Sequence, residues 1–136
     1  MTRYEWLLLL HLVGAFALVG AAVVGTVAVL SMRSGSRAAL VLTPLGQRFG
    51  DVGGMVALIF GVWLAIDLDQ YDLLDGWIIA AIVLWVMVAA TGARLGIALA
   101  KAREEGGMPT GIVLPYVVST LATVALLVDM IVKPGA

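Results

Sequence analysis

Four apolar runs, Trp6 to Met32, Val52 to Ile66, Trp77 to Leu99 and Ile112 to Val132, take up most of the 136-residue sequence and leave only short charged joints between them. The first holds 27 residues, with no polar side chain beyond His11, Thr26 and Ser31. At about 1.5 Å of rise per residue, a helix of that length exceeds the roughly 30 Å hydrocarbon core of a bilayer. The chain therefore reads as an all-α integral membrane protein, a four-helix antiparallel bundle forming a single domain over residues 1–136. A mean hydropathy of +1.11 with only 12% charged residues leaves no room for a second, soluble domain. With a net charge of -1 and no basic stripe, nucleic acid is not an expected partner. There are no cysteines, which excludes thiol nucleophiles, disulfide redox chemistry, iron–sulfur ligation and cysteine–zinc sites. The sequence offers no catalytic motif. The first run is too long for the apolar core of a signal peptide, and Glu5 offsets Arg3, so it is expected to stay as a span.

Helices are expected at about 5–32, 44–68, 76–103 and 111–132. Thr43 reads as the N-cap of the second, with Pro44 at its first position, and Asp75 as the N-cap of the third. Gly106-Gly107 stops the third helix. The fourth starts near Thr110 with Pro115 kinking its second turn, or at Pro115 itself, and ends at Pro134-Gly135. Arg33, Arg37 and Arg48 flank the first joint, and Arg94, Lys101 and Arg103 the third, whereas the second joint, Asp67 to Asp75, carries four aspartates and no base. The positive-inside rule then places both termini outside, with Tyr4, Trp6, Tyr71 and Trp77 as an outer aromatic belt. The acidic joint fails as an EF-hand, because the third aspartate falls at Asp72 where the register needs position 71, a tyrosine, and no turn glycine follows.

Small residues recur at four-residue spacing in every span: Ala17, Ala21 and Gly25; Gly53, Ala57 and Gly61; Gly92, Gly96 and Ala100; Ser119 and Thr123. Such ladders let helix backbones approach where lipid removes the hydrophobic driving force. Ladders left over from the bundle mark a homodimer face or a partner in a membrane complex, besides the lipid bilayer itself.

Polar groups inside spans are the candidates for function, because each costs several kcal/mol unless it is paired or reaches water. Asp51 and Arg94 are expected to pair between helices two and three near the inner surface, although Arg48 at i-3 competes for Asp51. Asp129 has Lys133 at i+4, the favourable order for a structural pair. His11, the only histidine, lies roughly 8 Å along the helix from Trp6. It shares a face with Gly14, Ala15, Leu18, Ala21 and Ala22, so it should face the bundle, with helix four and Asp129 or Met130 as the expected neighbours. A neutral imidazole there serves as a packed hydrogen-bonding group, or as one axial ligand to haem, or as a copper ligand with Met130. Met55 and Met87 read as core filler. None of the spans carries an acid at its centre, which argues against a proton-coupled carrier.

The opening LLLLHLVGAFALVG, the short arginine-bearing first joint, the TGARLG end of helix three and the closing MIVKPGA resemble the small four-helix bacterial integral membrane proteins of unknown function that neighbour the CopD copper-resistance domain. The resemblance spans nearly the whole chain and implies a multi-pass protein of the bacterial plasma membrane. A more distant likeness is to the HemJ type of protoporphyrinogen oxidase, from which only His11 carries over as a cofactor-binding residue, because the charged partners of that family are not recognisable here. Two readings follow: a non-catalytic bundle or accessory subunit of a membrane system, and a haem- or copper-linked transport or redox protein centred on His11. Which cofactor, haem or copper, stays open, and no catalytic residue is assigned.

Overall fold

The threonine at position 2 opens the first helix by a reciprocal cap: its hydroxyl accepts the Glu5 N–H at 3.3 Å, and the Glu5 carboxylate accepts the Thr2 N–H at 2.7 Å. Helix α1 then runs Arg3–Arg33, α2 Thr43–Asp67, α3 Gly76–Glu105 and α4 Val113–Val132, with a 3₁₀ turn, Ala38–Leu42, leading into α2. The computed structural model describes residues 1–68 and 71–134. Asp69 and Gln70 of the acidic joint and Gly135 of the closing stop lie outside the described residues.

Two helix starts differ from the sequence expectation. Thr43 does not cap α2, because its buried hydroxyl donates back to the Leu40 carbonyl at 2.8 Å and so closes the 3₁₀ turn. Pro115 is the third residue of α4, where its missing N–H is one of the four that any helix start leaves unbonded, so it costs no intrahelical bond. At the other ends, α3 stops where Gly106 takes φ 73°, and α4 stops where Lys133 takes φ 45° with its N–H on the Asp129 carbonyl at 2.8 Å.

The four helices pack as two antiparallel hairpins. Between α1 and α2 the backbones touch along most of their length: a Cβ on Gly14 would lie 2.5 Å from the Ala57 nitrogen, one on Gly53 2.6 Å from the Ala17 Cβ, one on Gly50 3.0 Å from the Ala21 Cβ, and one on Gly46 2.7 Å from Val24. Small residues from both helices thus meet in register. α3 packs mainly on α4, and the two hairpins approach each other less closely. Apolar cores close the bundle at its two ends. One joins Ala28, Val29, Met32, Leu40, Leu95, Leu99 and Ile112 beside the arginine-bearing joints, and the other joins Ala65, Trp77 and Ile78 beside the termini. We call these the arginine end and the terminal end.

Arg37 ties the arginine end together across the hairpins. Its guanidinium donates to the Ala102 carbonyl at 2.8 Å and to the Gly107 carbonyl at 2.7 Å, placing a cation on the last turn of α3. The Ala102 carbonyl belongs to the last turn of α3, where carbonyls lack an intrahelical partner and carry the negative end of the helix dipole, and Gly107 lies just past the helix end. At the terminal end Arg3 pairs with Asp67. Most outward-facing positions on the helices are apolar, with Phe16 73% and Ile131 82% exposed, and each helix is long and apolar enough to cross a membrane.

Candidate functional site

Two cavities lie between the hairpins, one toward each end, and share Leu18, Trp85 and Thr123 as a common wall. Trp85 forms that partition because its indole N–H donates to the Gly54 carbonyl at 2.9 Å, which pins the ring across the interface from α3 to α2. The absent side chain at Gly54 makes room, since a Cβ there would sit 3.3 Å from the indole nitrogen.

The cavity toward the terminal end has a volume of about 460 Å³ and is lined by His11, Trp77, Met130 and Lys133 among apolar side chains. His11 faces the bundle, with Nδ1 2.8 Å from the Ala57 carbonyl of α2. A carbonyl can only accept, so Nδ1 carries the proton and the lone pair resides on Nε2. Gly61 admits the ring, because a Cβ at that position would lie 2.9 Å from both Cε1 and Nδ1 of His11. The expected neighbour, helix four, is therefore corrected to α2: the in-register α1–α2 seam delivers a backbone carbonyl to His11. Met130 lines the same cavity, and Asp129 is buried with its Oδ2 lacking a hydrogen-bond partner among the described residues.

Lys133 does not turn back to Asp129. Its ammonium donates to the Tyr71 hydroxyl at 3.1 Å and stands 4.8 Å and 5.3 Å from the Tyr71 and Trp77 ring centroids, which are themselves in edge contact. Cation–π attraction and one hydrogen bond replace the i,i+4 pair, and the left-handed backbone at Lys133 redirects the side chain off the helix.

The cavity toward the arginine end, about 230 Å³, holds Asp51. No ion pair joins Asp51 to Arg94; its Oδ1 instead accepts from Gln47 Nε2 at 3.0 Å, and Asp51, Arg48 and Arg94 are all exposed. The four-residue step along α2 gives Gln47 the nearer reach. Gln47 is held in turn by Gly96, where any Cβ would run into its carboxamide. The opposite wall is a hydroxyl stripe on α4, Tyr116, Ser119, Thr120 and Thr123. Tyr116 donates to the Thr26 hydroxyl at 3.2 Å, and Thr123 to the Ser119 carbonyl at 2.8 Å.

The register of the seam also corrects the height of Asp51. Gly50 meets Ala21 and Gly53 meets Ala17, so Asp51 lies level with the stretch of α1 around Leu18, the middle residue of that helix. On α3 the flanking contacts, Gly54 with Trp85 and Gln47 with Gly96, bracket that helix's middle as well. Counting turns from Thr43 places Asp51 near one surface, but the 3₁₀ turn Ala38–Leu42 continues the second span and makes Asp51 a mid-bundle acid.

The roles of Gln47, Trp85 and Arg37 escaped the sequence reading, which counted Arg37 only among the bases of the first joint. A signal existed for Trp85, since membrane tryptophans favour the interfaces and a mid-span indole needs a partner for its N–H. Neither Met55 nor Met87 fills the core as expected: both are exposed, and Met55 also borders the Asp51 cavity, because a flexible apolar chain is as well placed at the outer surface of an apolar helix as inside it. No three His, Cys, Asp or Glu side chains cluster to hold a metal among the described residues. The chain matches no protein-family model, no curated protein and no solved structure.

Proposed function

We propose that the chain is a multi-pass integral protein of a bacterial plasma membrane and that its bundle acts without catalysis, as an accessory subunit or a self-associating component of a membrane system. The observation that carries this reading is where the interior polar side chains go: His11 reaches the Ala57 carbonyl, Trp85 the Gly54 carbonyl and Tyr116 the Thr26 hydroxyl, each joining one helix to another. Such bonds suit a dry interior, where an unsatisfied polar group is costly. The reading is tested by carbonate extraction of membranes and by labelling. The native chain has no cysteine, so Asp72→Cys and Arg103→Cys each report one position. The chain should resist extraction, and an impermeant reagent on intact cells should label position 72 and spare position 103. The reverse labelling pattern overturns the orientation.

The fixed tautomer of His11 favours a second reading. A histidine that donates Nδ1–H to a backbone carbonyl presents an oriented, basic Nε2, the arrangement found around metal-bound imidazoles. Here Nε2 has no hydrogen-bond partner among the described residues, and Met130 lines the same cavity. His11 would hold a haem iron or a copper ion through Nε2, and that group would supply electron transfer. Visible spectroscopy and metal analysis of the purified protein decide between the readings. A colourless, metal-free preparation supports the bundle alone, and a haem band or stoichiometric copper that His11→Gln abolishes supports the ligand.

A further inference from the structure

We propose that the cavity holding Asp51 binds a compact organic cation, an amine or quaternary ammonium with an apolar body, for which Asp51 is the countercharge. Asp51, an exposed residue that lines the cavity, stands level with the middle of α1 and α3, and among the described residues no base lies within ion-pair distance of it. Its Oδ1 takes one hydrogen bond from Gln47, a neutral amide that leaves the negative charge uncompensated. An ionisable side chain at that height is costly unless a partner or a polar cavity receives it. The cavity supplies the remainder of a cation site.

Trp85 and Tyr116 offer aromatic rings, to which cations are attracted through the ring quadrupole. Leu18, Val88, Leu95 and Leu99 form an apolar wall suited to the body of an amine. Ser119 and Thr120 face the same space, and their hydroxyls have no hydrogen-bond partner among the described residues, so they are free to accept from an N–H. A volume of about 230 Å³ and a largely apolar lining exceed what a bare metal ion needs and match a small organic molecule. Within the hydroxyl stripe of α4, Tyr116 is engaged with α1, whereas Ser119 and Thr120 face the ligand space. The proposal relies on the membrane reading only for the depth of Asp51, since the cavity itself lies within the bundle.

The test uses the whole chain purified in detergent micelles, with benzyltrimethylammonium as probe and neopentylbenzene, its uncharged isostere, as control. Binding is followed by equilibrium dialysis and by tryptophan fluorescence, because Trp85 lines the site. The cation should bind saturably and at least about tenfold more tightly than the isostere, the margin a desolvated charge interaction supplies. Asp51→Asn should remove that margin, Asp51→Glu should keep part of it, and Asp129→Asn should leave it unchanged. Matching size-exclusion profiles establish that each variant is folded. Equal binding of cation and isostere, an unaltered Asp51→Asn variant, or no saturable binding at all overturns the proposal. Complete displacement of the probe by millimolar sodium would reassign the site to an inorganic cation and likewise overturn it. Carbonate extraction fails separately if the membrane reading is wrong, so the two failures are distinguishable.

Discussion

The α1–α2 seam and the interface between the two hairpins are lined by the same kinds of small residue, yet one is shut and the other holds two cavities. In the seam, Gly14, Ala17 and Ala21 meet Ala57, Gly53 and Gly50 in register, so the space of each missing side chain is filled by backbone or by a single methyl of the facing helix. At the interface Ala22, Gly25, Gly50, Ala89, Gly92 and Ser119 face a common space from all four helices, and the larger side chains around it, Leu18, Trp85 and Tyr116 among them, line it without filling it. Small residues bring helices together only when two stripes coincide along their length. Where four such stripes converge around an axis, they leave a void.

The largest effect that would break this contrast lies in the seam. Gly14→Ala and Gly53→Ala should each destabilise the protein by about 2–3 kcal/mol, because the new methyl meets backbone atoms that cannot yield. Gly20→Ala and Gly92→Ala, with nothing within 4 Å of the added Cβ, should be neutral or stabilising by up to about 1 kcal/mol through helix propensity. Reversible unfolding in mixed micelles measures both pairs. Equal losses at all four positions would show that the seam is not the tight element.

Gly61→Ala should have the next largest effect. The methyl displaces the His11 ring and breaks its bond to the Ala57 carbonyl, for a loss of about 1–2 kcal/mol. Because the chain has a single histidine, its rate of carbethoxylation reports the displacement directly and should rise. An unchanged rate would mean that the ring does not depend on the glycine gap.

Arg37→Gln sharpens the comparison by testing what holds the hairpins together at the arginine end. Loss of the cation from the Ala102 and Gly107 carbonyls should cost about 1 kcal/mol and speed amide hydrogen exchange in the last turn of α3. Protection confined to the α1–α2 seam should be unaffected. The smallest change is expected at Thr120→Val, a near-isosteric substitution on the cavity wall, which should shift stability by no more than about 0.5 kcal/mol. A loss there as large as that of Gly14→Ala would show that the hairpin interface is packed as tightly as the seam.

The outcome for individual residues shows where sequence reasoning stopped. The stop at Gly106 was legible in its glycine pair, whereas the first helix, expected from about residue 5, starts at Arg3 behind a Thr2 cap that the sequence reading passed over. His11 was placed facing the bundle by its small-residue stripe, but the stripe does not name the helix that will face it. Asp51 was legible as a polar group inside a span. Its height was not, because the 3₁₀ turn before Thr43 depends on Leu40 and Ala39 packing into the core at the arginine end. Lys133 leaves Asp129 for Tyr71 only once the acidic joint has folded beside it.

Sequence by itself determined that this chain makes four long apolar helices, because a helix satisfies its backbone hydrogen bonds within its own segment and length and hydropathy are local quantities. Only the tertiary structure decided which faces meet, which small residues close a seam and which line a cavity. The physical reason is that apolar side chains are equally at home against lipid and against another helix, so hydropathy does not mark the inward face. Shape complementarity and a few hydrogen bonds to backbone carbonyls choose the partners, and both are properties of two helices together.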